Sequence, residues 1–492
     1  GNLFPDKPAP PDSYQIRLEA NRLVLKVKDT PAPVEFRRGV ITVEPGVLTL
    51  DHVAVATTGG DGTVNGVLGF DRNGASVRKA TIDIHQMEAG LWLALVVDPT
   101  DLRITGPIGG KVELRADPAR HGDLLANGRF VLNQGQVKFG FMRSPMLVQG
   151  TTITFTRRTM QVSMPASTLE GEPIAFSMSI ADLEHPVLHI DANAQGLDFE
   201  VLKFIRMPWS PSTPPTHFPL PVRGRVQVIK GHLGVFPMTN IRTDFSYDHG
   251  DWRVWNFTAN SFHGVIAMDI TGRQKDDWIR INGKVVDIDS APLFMLSGTR
   301  KESPVLGKMS VAVDLWADTN SDFFQTLAGK ISLTMRNGTI NRFTMISRML
   351  GLIDLKSWLT ANIPNPTISG LPFDTIFVDL KGERGVFWTE QFVIQGPVMS
   401  ITANGSLNLA QNTMDMSFAL FPFSTVNWLV SKIPVIGANV SGGTSVLIAA
   451  YMHVYGPTDN PSIVPMPIHS VTELVKKTLG LPINIIRPNT IK

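Results

Sequence analysis

No cysteine occurs in the 492 residues. Disulfides and thiolate metal sites are therefore excluded; cysteine-free chains are common in bacterial envelopes. Charge is scarce and balanced: 18% of residues are charged, 45 basic against 43 acidic. A nucleic-acid partner would favour a basic face, and none is expected. Long helix-like apolar runs are missing too. The nearest, Ile433–Thr458, carries no Asp, Glu, Lys or Arg. Gly437, Ser441, Gly442, Gly443, Thr444 and Ser445 divide it, so it reads as buried strands and turns rather than a membrane span. The opening GNLFPDKPAPPDS lacks the basic start and apolar run of a signal peptide. The expectation is a chain trimmed there or cut from a longer protein.

Catalytic signatures are also lacking. There is no GxSxG elbow, P-loop, HExxH or Rossmann fingerprint. His185 and His189 stand four apart, but only Asp191 is near enough to be a third ligand, so polar surface histidines are the reading. Asp276 and Asp277 fall in a polar turn, and Asp287 and Asp289 close a strand before a short helical turn capped by Asp289 or Ser290. Met164, Met268, Met399, Met414 and Met416 sit in alternating strands, which suits core or groove lining rather than a soft-metal site. No enzyme activity, cofactor or metal is expected.

What the chain has is apolar material, 43% of it, and period-two alternation. Gly385–Pro422 shows this most clearly. Met399, Ile401, Ala403, Leu407 and Leu409 fall on one face, and Ser400, Thr402, Ser406 and Asn408 on the other. Asn404-Gly405 reads as a hairpin turn, and Ala410–Thr413 as a second, polar one. Met414, Met416, Phe418 and Leu420 continue the apolar face.

The pattern repeats. Gly39 and Gly46, Gly128 and Gly135, and Gly224 and Gly231 are each seven apart, and Gly329 and Gly338 form a looser copy. Each reads as strand, tight glycine turn, strand. A second unit aligns on Gly66, Gly272 and Gly405. Alternating copies of two hairpin units predict a repeat architecture of antiparallel strands. The helical candidates are Ala89–Val96, Phe199–Met207, Arg342–Leu359, Ser424–Ile433 and Ile468–Leu479.

The resulting organisation is a linker (1–13), N-terminal repeats (14–207), a Pro-rich crossover loop (208–221), middle repeats (222–326), a C-terminal region (327–461), and a final amphipathic helix and tail (462–492). A sheet with one polar and one apolar face must hide the apolar one. It can pack on another sheet, close into a barrel, or curl into a trough holding something apolar. From Met416 to Thr458 the only charged side chain is Lys432, so that end of the apolar face is expected to be capped or pressed against a membrane or partner.

LAGKISLTMRNGTINRF, the Met349-Leu350-Gly351-Leu352 helix, the run from Phe373 to Pro422 and the closing Gly456–Pro461 turn resemble the AsmA-like family. This family (TamB/YhdP type) holds bacterial relatives of the bridge-like lipid-transfer proteins. The resemblance is best from Leu327 to Pro461; upstream it extends only to repeat style. It implies a mainly β fold: a long curled antiparallel sheet, a β-groove with an apolar floor, flanked or capped by a few short helices. It also implies a periplasmic location in a Gram-negative bacterium, an N-terminal inner-membrane helix absent here, and phospholipid transport supporting the outer membrane. Expected partners are an acyl-chain lipid, a membrane at one or both ends, and envelope proteins. The residues expected to line the floor are Val226, Val228, Ile266, Met268, Ile270, Val311, Val313, Leu315, Ile331, Leu333, Met399, Ile401, Leu407, Leu409, Met416, Phe418 and Leu420. The alternative is an envelope scaffold or adhesin-like β-repeat protein with a filled core.

Overall fold

The computed structural model describes residues 14–25, 33–71, 74–90, 102–117, 124–140, 142–201, 220–234, 236–273, 276–296, 303, 305–318, 322–341, 349, 370–422 and 450–466. These are mainly β, as expected. Short helices occur at Ser290–Leu296 and Phe323–Thr326, and a 3-10 turn at Phe199–Val201. The helical candidates at Arg342–Leu359 (Met349 apart), Ser424–Ile433 and Ile468–Leu479 lie outside the described residues, as does most of the Pro-rich run. So do residues 91–96 of the first candidate and 202–207 of the second.

The chain forms two compact units. One comprises Gly1–Arg206, Ser212–Gly234 and Asp244–His249; the other comprises Met207–Pro211, Val235–Thr243 and Gly250–Lys492. In the first unit, strands from Val34–Glu44 to Leu188–Asp198 pair antiparallel, mostly with sequence neighbours. Leu188–Asp198 then pairs parallel with Val222–Leu233. The wholly antiparallel expectation fails at this pair. A parallel partner requires the intervening residues 199–221 to return the chain to its starting end, a crossover rather than a hairpin. In the second unit, the strands from Asp251–Ser261 to Ser462–Pro465 are joined by antiparallel pairs throughout.

Glu170-Gly171, His249-Gly250 and Arg384-Gly385 are turns with both φ angles positive: 52° and 91°, 47° and 97°, and 50° and 76°. That geometry matches the right-handed twist of the flanking strands. Most of the glycines read as turns are not turns. Gly128 and Gly135 lie inside Leu124–Phe139, Gly224 and Gly231 inside Val222–Leu233, and Gly329 and Gly338 inside Ala328–Ile340. Gly66 and Gly272 are also within strands, and Met399–Asn408 runs unbroken through Asn404-Gly405. The expected turns at Gly46 and after Leu409 are present.

These in-strand glycines make room for rings. Gly110, Gly128, Gly272, Gly338 and Gly382 are register partners of Phe130, Phe155, Trp252, Phe373 and Phe387. A Cβ at Gly128 would stand 2.5 Å from the Phe155 ring, and one at Gly272 would run into the Trp252 indole. The glycine signal is therefore one of close approach, which sequence alone does not separate from a turn.

The strands also carry a repeated irregularity. His52, Asn256 and Asp287 have left-handed φ angles of 48°, 55° and 54°, and each sits at a register shift. In each case a side chain on the next strand accepts the displaced N–H. Asn65 Oδ1 accepts from His52 N at 2.7 Å, Asp269 Oδ1 from Asn256 N at 2.9 Å, and Ser310 Oγ from Asp287 N at 3.0 Å. Such bulges bend a strand and increase its twist locally.

Candidate functional site: an uncharged strand face

Residues directly opposite one another on antiparallel strands point to the same side, so register defines the face. In the second unit one row runs Ile266, Val285, Val311, Leu333, Val378, Phe392, Ala403, Phe418, Met452. A neighbouring row runs Ile288, Met309, Met335, Ile376, Ile394, Ile401, Leu420, Ala450. A third runs Ile270, Ile281, Leu315, Gly329, Gly382, Phe387, Leu407, Met414, Gly456. No member of these rows carries a charge or a side-chain hydrogen-bonding group.

The structure brings most of the expected floor residues onto this face. Ile266, Met268, Ile270, Val311, Val313, Leu315, Ile331 and Leu333 belong to it and are partly exposed, and Leu407 is similar. Met399, Ile401, Met416, Phe418 and Leu420 are buried, at 9% exposure or less, in a cluster with Met335, Ile376, Ile394, Met452 and Val454. Leu409 packs instead beside Phe387 and Leu327 at one end of the strands. Val226 and Val228 belong to the first unit, opposite Ala192 and Ala194; Val228 is buried.

Sequence reasoning missed several contributors. Phe373, Ile376, Phe387, Phe392 and Ile394 are as much part of the face as the expected residues. Alternation marks only Ile376 with Val378 and Phe392 with Ile394. Phe373 and Phe387 are an odd number of residues away, Phe387 across the register shift between Thr389 and Phe392. Helix Phe323–Thr326, capped by Asp322 accepting from Phe324 N at 3.0 Å, was also missed; its Phe323 packs against the cluster around Ile279 and Phe387. The expected helical turn after Asp289 is found at Ser290–Leu296.

Charge is held on the opposite face and at strand ends. Arg280 grips Asp314 with two bonds of 3.0 Å, and that guanidinium holds the Asp314 carboxyl below its ordinary range. Lys308 at 2.7 Å, and then His263 at 2.6 Å, lower the pKa of Asp289. His185 faces Asp182 at 3.4 Å rather than His189. Among the described residues no group of three or more His, Cys, Asp or Glu could hold a metal ion. No described helix is long and apolar enough to cross a membrane.

A family model described as YhdP protein matches residues 300–463. No curated protein and no solved structure matches the chain. The match includes the segment Leu327–Pro461 that carries the resemblance and the strands from Val305–Asp318 onward, with the buried cluster; Ile266, Met268 and Ile270 lie upstream of it. The AsmA-like resemblance is thereby borne out over this segment: residues 300–463 match a family model of the TamB/YhdP/AsmA type.

Proposed function

We propose that this chain is a non-enzymatic lipid conduit of the Gram-negative envelope, holding phospholipid acyl chains on its apolar strand face in the periplasm. The observation that carries this reading is the set of uncharged cross-strand rows. A hydrocarbon asks for no hydrogen bond, and these rows offer none. Moving a sixteen-carbon chain from a bilayer into water costs on the order of 10 kcal/mol, at about 0.8 kcal/mol per methylene. A continuous apolar floor removes most of that cost. Hydrophobic attraction is non-directional, so a lipid can slide along it without a single specific site. The YhdP-type match supports an envelope setting.

Lipid extraction and native mass spectrometry of the purified chain test this. Bound phospholipid is the expected result. A chain that retains no lipid, and takes none from vesicles, would favour the scaffold reading instead. The buried cluster around Ile401 and Leu420 gives that reading its one specific support, because there the face already has a filled core.

A further inference from the structure

Along the row from Ile266 to Met452, exposure falls. Ile266, Val285, Val311, Leu333 and Val378 are partly exposed, Leu333 and Val378 while already packing against the buried cluster. The next residue is Phe392, and beyond it Ala403, Phe418 and Met452 are 1%, 3% and 2% exposed. Ala403 is the register partner of both Phe392 and Phe418. Its small side chain lets the two rings meet edge to face above it, with centroids 5.9 Å apart and planes at 77°. The pair forms a ridge lying across the row. Past the ridge this row and the neighbouring one are occupied by the protein's own side chains, while Leu407 and Met414 in the third row stay partly exposed. Ile401, Leu420 and Val454 are fully packed, and Met349, at 0% exposure, belongs to the same cluster.

We infer that the trough is blind at this end: an acyl chain lies on the floor between Ile266 and Val378 and stops against the Phe392–Phe418 ridge. This rests on the lipid-conduit reading and sharpens it. The occupant is a hydrocarbon rather than a peptide, because the open stretch offers only aliphatic, Met and Gly surface. Its rows leave no polar group for a peptide backbone to bond. The floor is also smooth there: Gly283 stands opposite Met268, where a Cβ would lie 2.7 Å from the Met268 Cβ. Cargo on this row and the neighbouring one therefore stops before Ala403 and Ile401.

The test needs no substitution. The full chain is incubated with phosphatidylethanolamine vesicles doped with a phosphatidylcholine that carries a diazirine near the end of one acyl chain. After irradiation, adducts are mapped by peptide mass spectrometry. Adducts are expected on Gly264–Arg273, Val305–Asp318 and Ala328–Ile340, and none on Ile401, Ala403, Phe418 or Leu420. Equal labelling of Ile401 or Leu420 would overturn the blind end and leave the conduit reading intact. No adduct on any of these strands would sink both. In Phe418→Ala, with strand content checked by circular dichroism, adducts are expected to spread onto Ile401 and Ala403. An unchanged map in folded Phe418→Ala would show that the ridge is not the stop, and if that variant does not fold the native map alone decides.

Discussion

Gly382 and Phe387 face each other across the hairpin closed by Arg384-Gly385, and the Phe387 ring fills the space that a side chain at 382 would need. Phe387 is 1% exposed, so the ring has no free volume to move into. Gly382→Ala is expected to destabilise by about 1–3 kcal/mol through overpacking. Urea unfolding measures it. Adding Phe387→Leu should recover part of the loss, which a backbone-propensity effect at residue 382 would not allow.

The bulge at Asn256 gives a second expectation. Asp269→Ala removes the acceptor of the Asn256 N–H, at about 0.5–1.5 kcal/mol because water can reach this exposed position. Asn256→Gly suits the left-handed φ of 55° and should be close to neutral. Because Asn256→Gly keeps the backbone N–H that Asp269 accepts, Asp269→Ala should cost the same in the Asn256→Gly background as in the native one, which urea unfolding checks.

Open and packed parts of the apolar face should answer differently to substitution. Leu420 is 0% exposed, and Leu420→Ala should cost about 2–5 kcal/mol of stability. Val311 is partly exposed, so Val311→Asp should leave the fold largely intact while reducing phospholipid recovered by extraction. Thermal unfolding and lipid extraction on the same two variants separate these effects. Lipid retention by a folded Val311→Asp protein would argue against the trough.

Asp289 provides the pH dependence. Lys308, and then His263, hold its folded pKa below the unfolded value. Its contribution is therefore fully present above the unfolded carboxylate pKa of about 4 and is lost as pH falls through the lower folded value. The pair is solvent-screened, so the size is only about 0.5 kcal/mol. Asp289→Asn should lower the melting temperature slightly at pH 7 and make it less sensitive to acidification. An equal shift at pH 7 and at acid pH would count against the ion pair.

The alternation was legible because a one-sided sheet imposes it: Met399, Ile401 and Leu407, and Val311 and Val313, share a face as their spacing requires. Glycine was the ambiguous signal. Asn404-Gly405 has hairpin chemistry, yet the strand continues, since Gly405 pairs with Met416 within the ladder. Gly128 and Gly272 answer to rings on neighbouring strands, a long-range requirement that leaves no local mark. The division between open Val311 and packed Ile401 was also hidden. Both are β-branched residues in alternating runs, and only their cross-strand neighbours differ.

The parallel pairing of Leu188–Asp198 with Val222–Leu233 has a kinetic consequence. Most other strands meet a partner a short turn away and can zip from local nuclei at low contact order. Ala328–Ile340 with Leu371–Glu383 and Thr413–Pro422 with Ala450–Pro457 also pair across long separations, 341–370 and 423–449. The parallel pair must first close a loop spanning 199–221. The entropic cost of closure grows only with the logarithm of loop length, but it falls due before the two strands can bond. Refolding should therefore show fast formation of hairpins and slower steps at this junction and at the two other long-separation pairs. The order of assembly is set by connectivity, while the depth of the final minimum is set by packing.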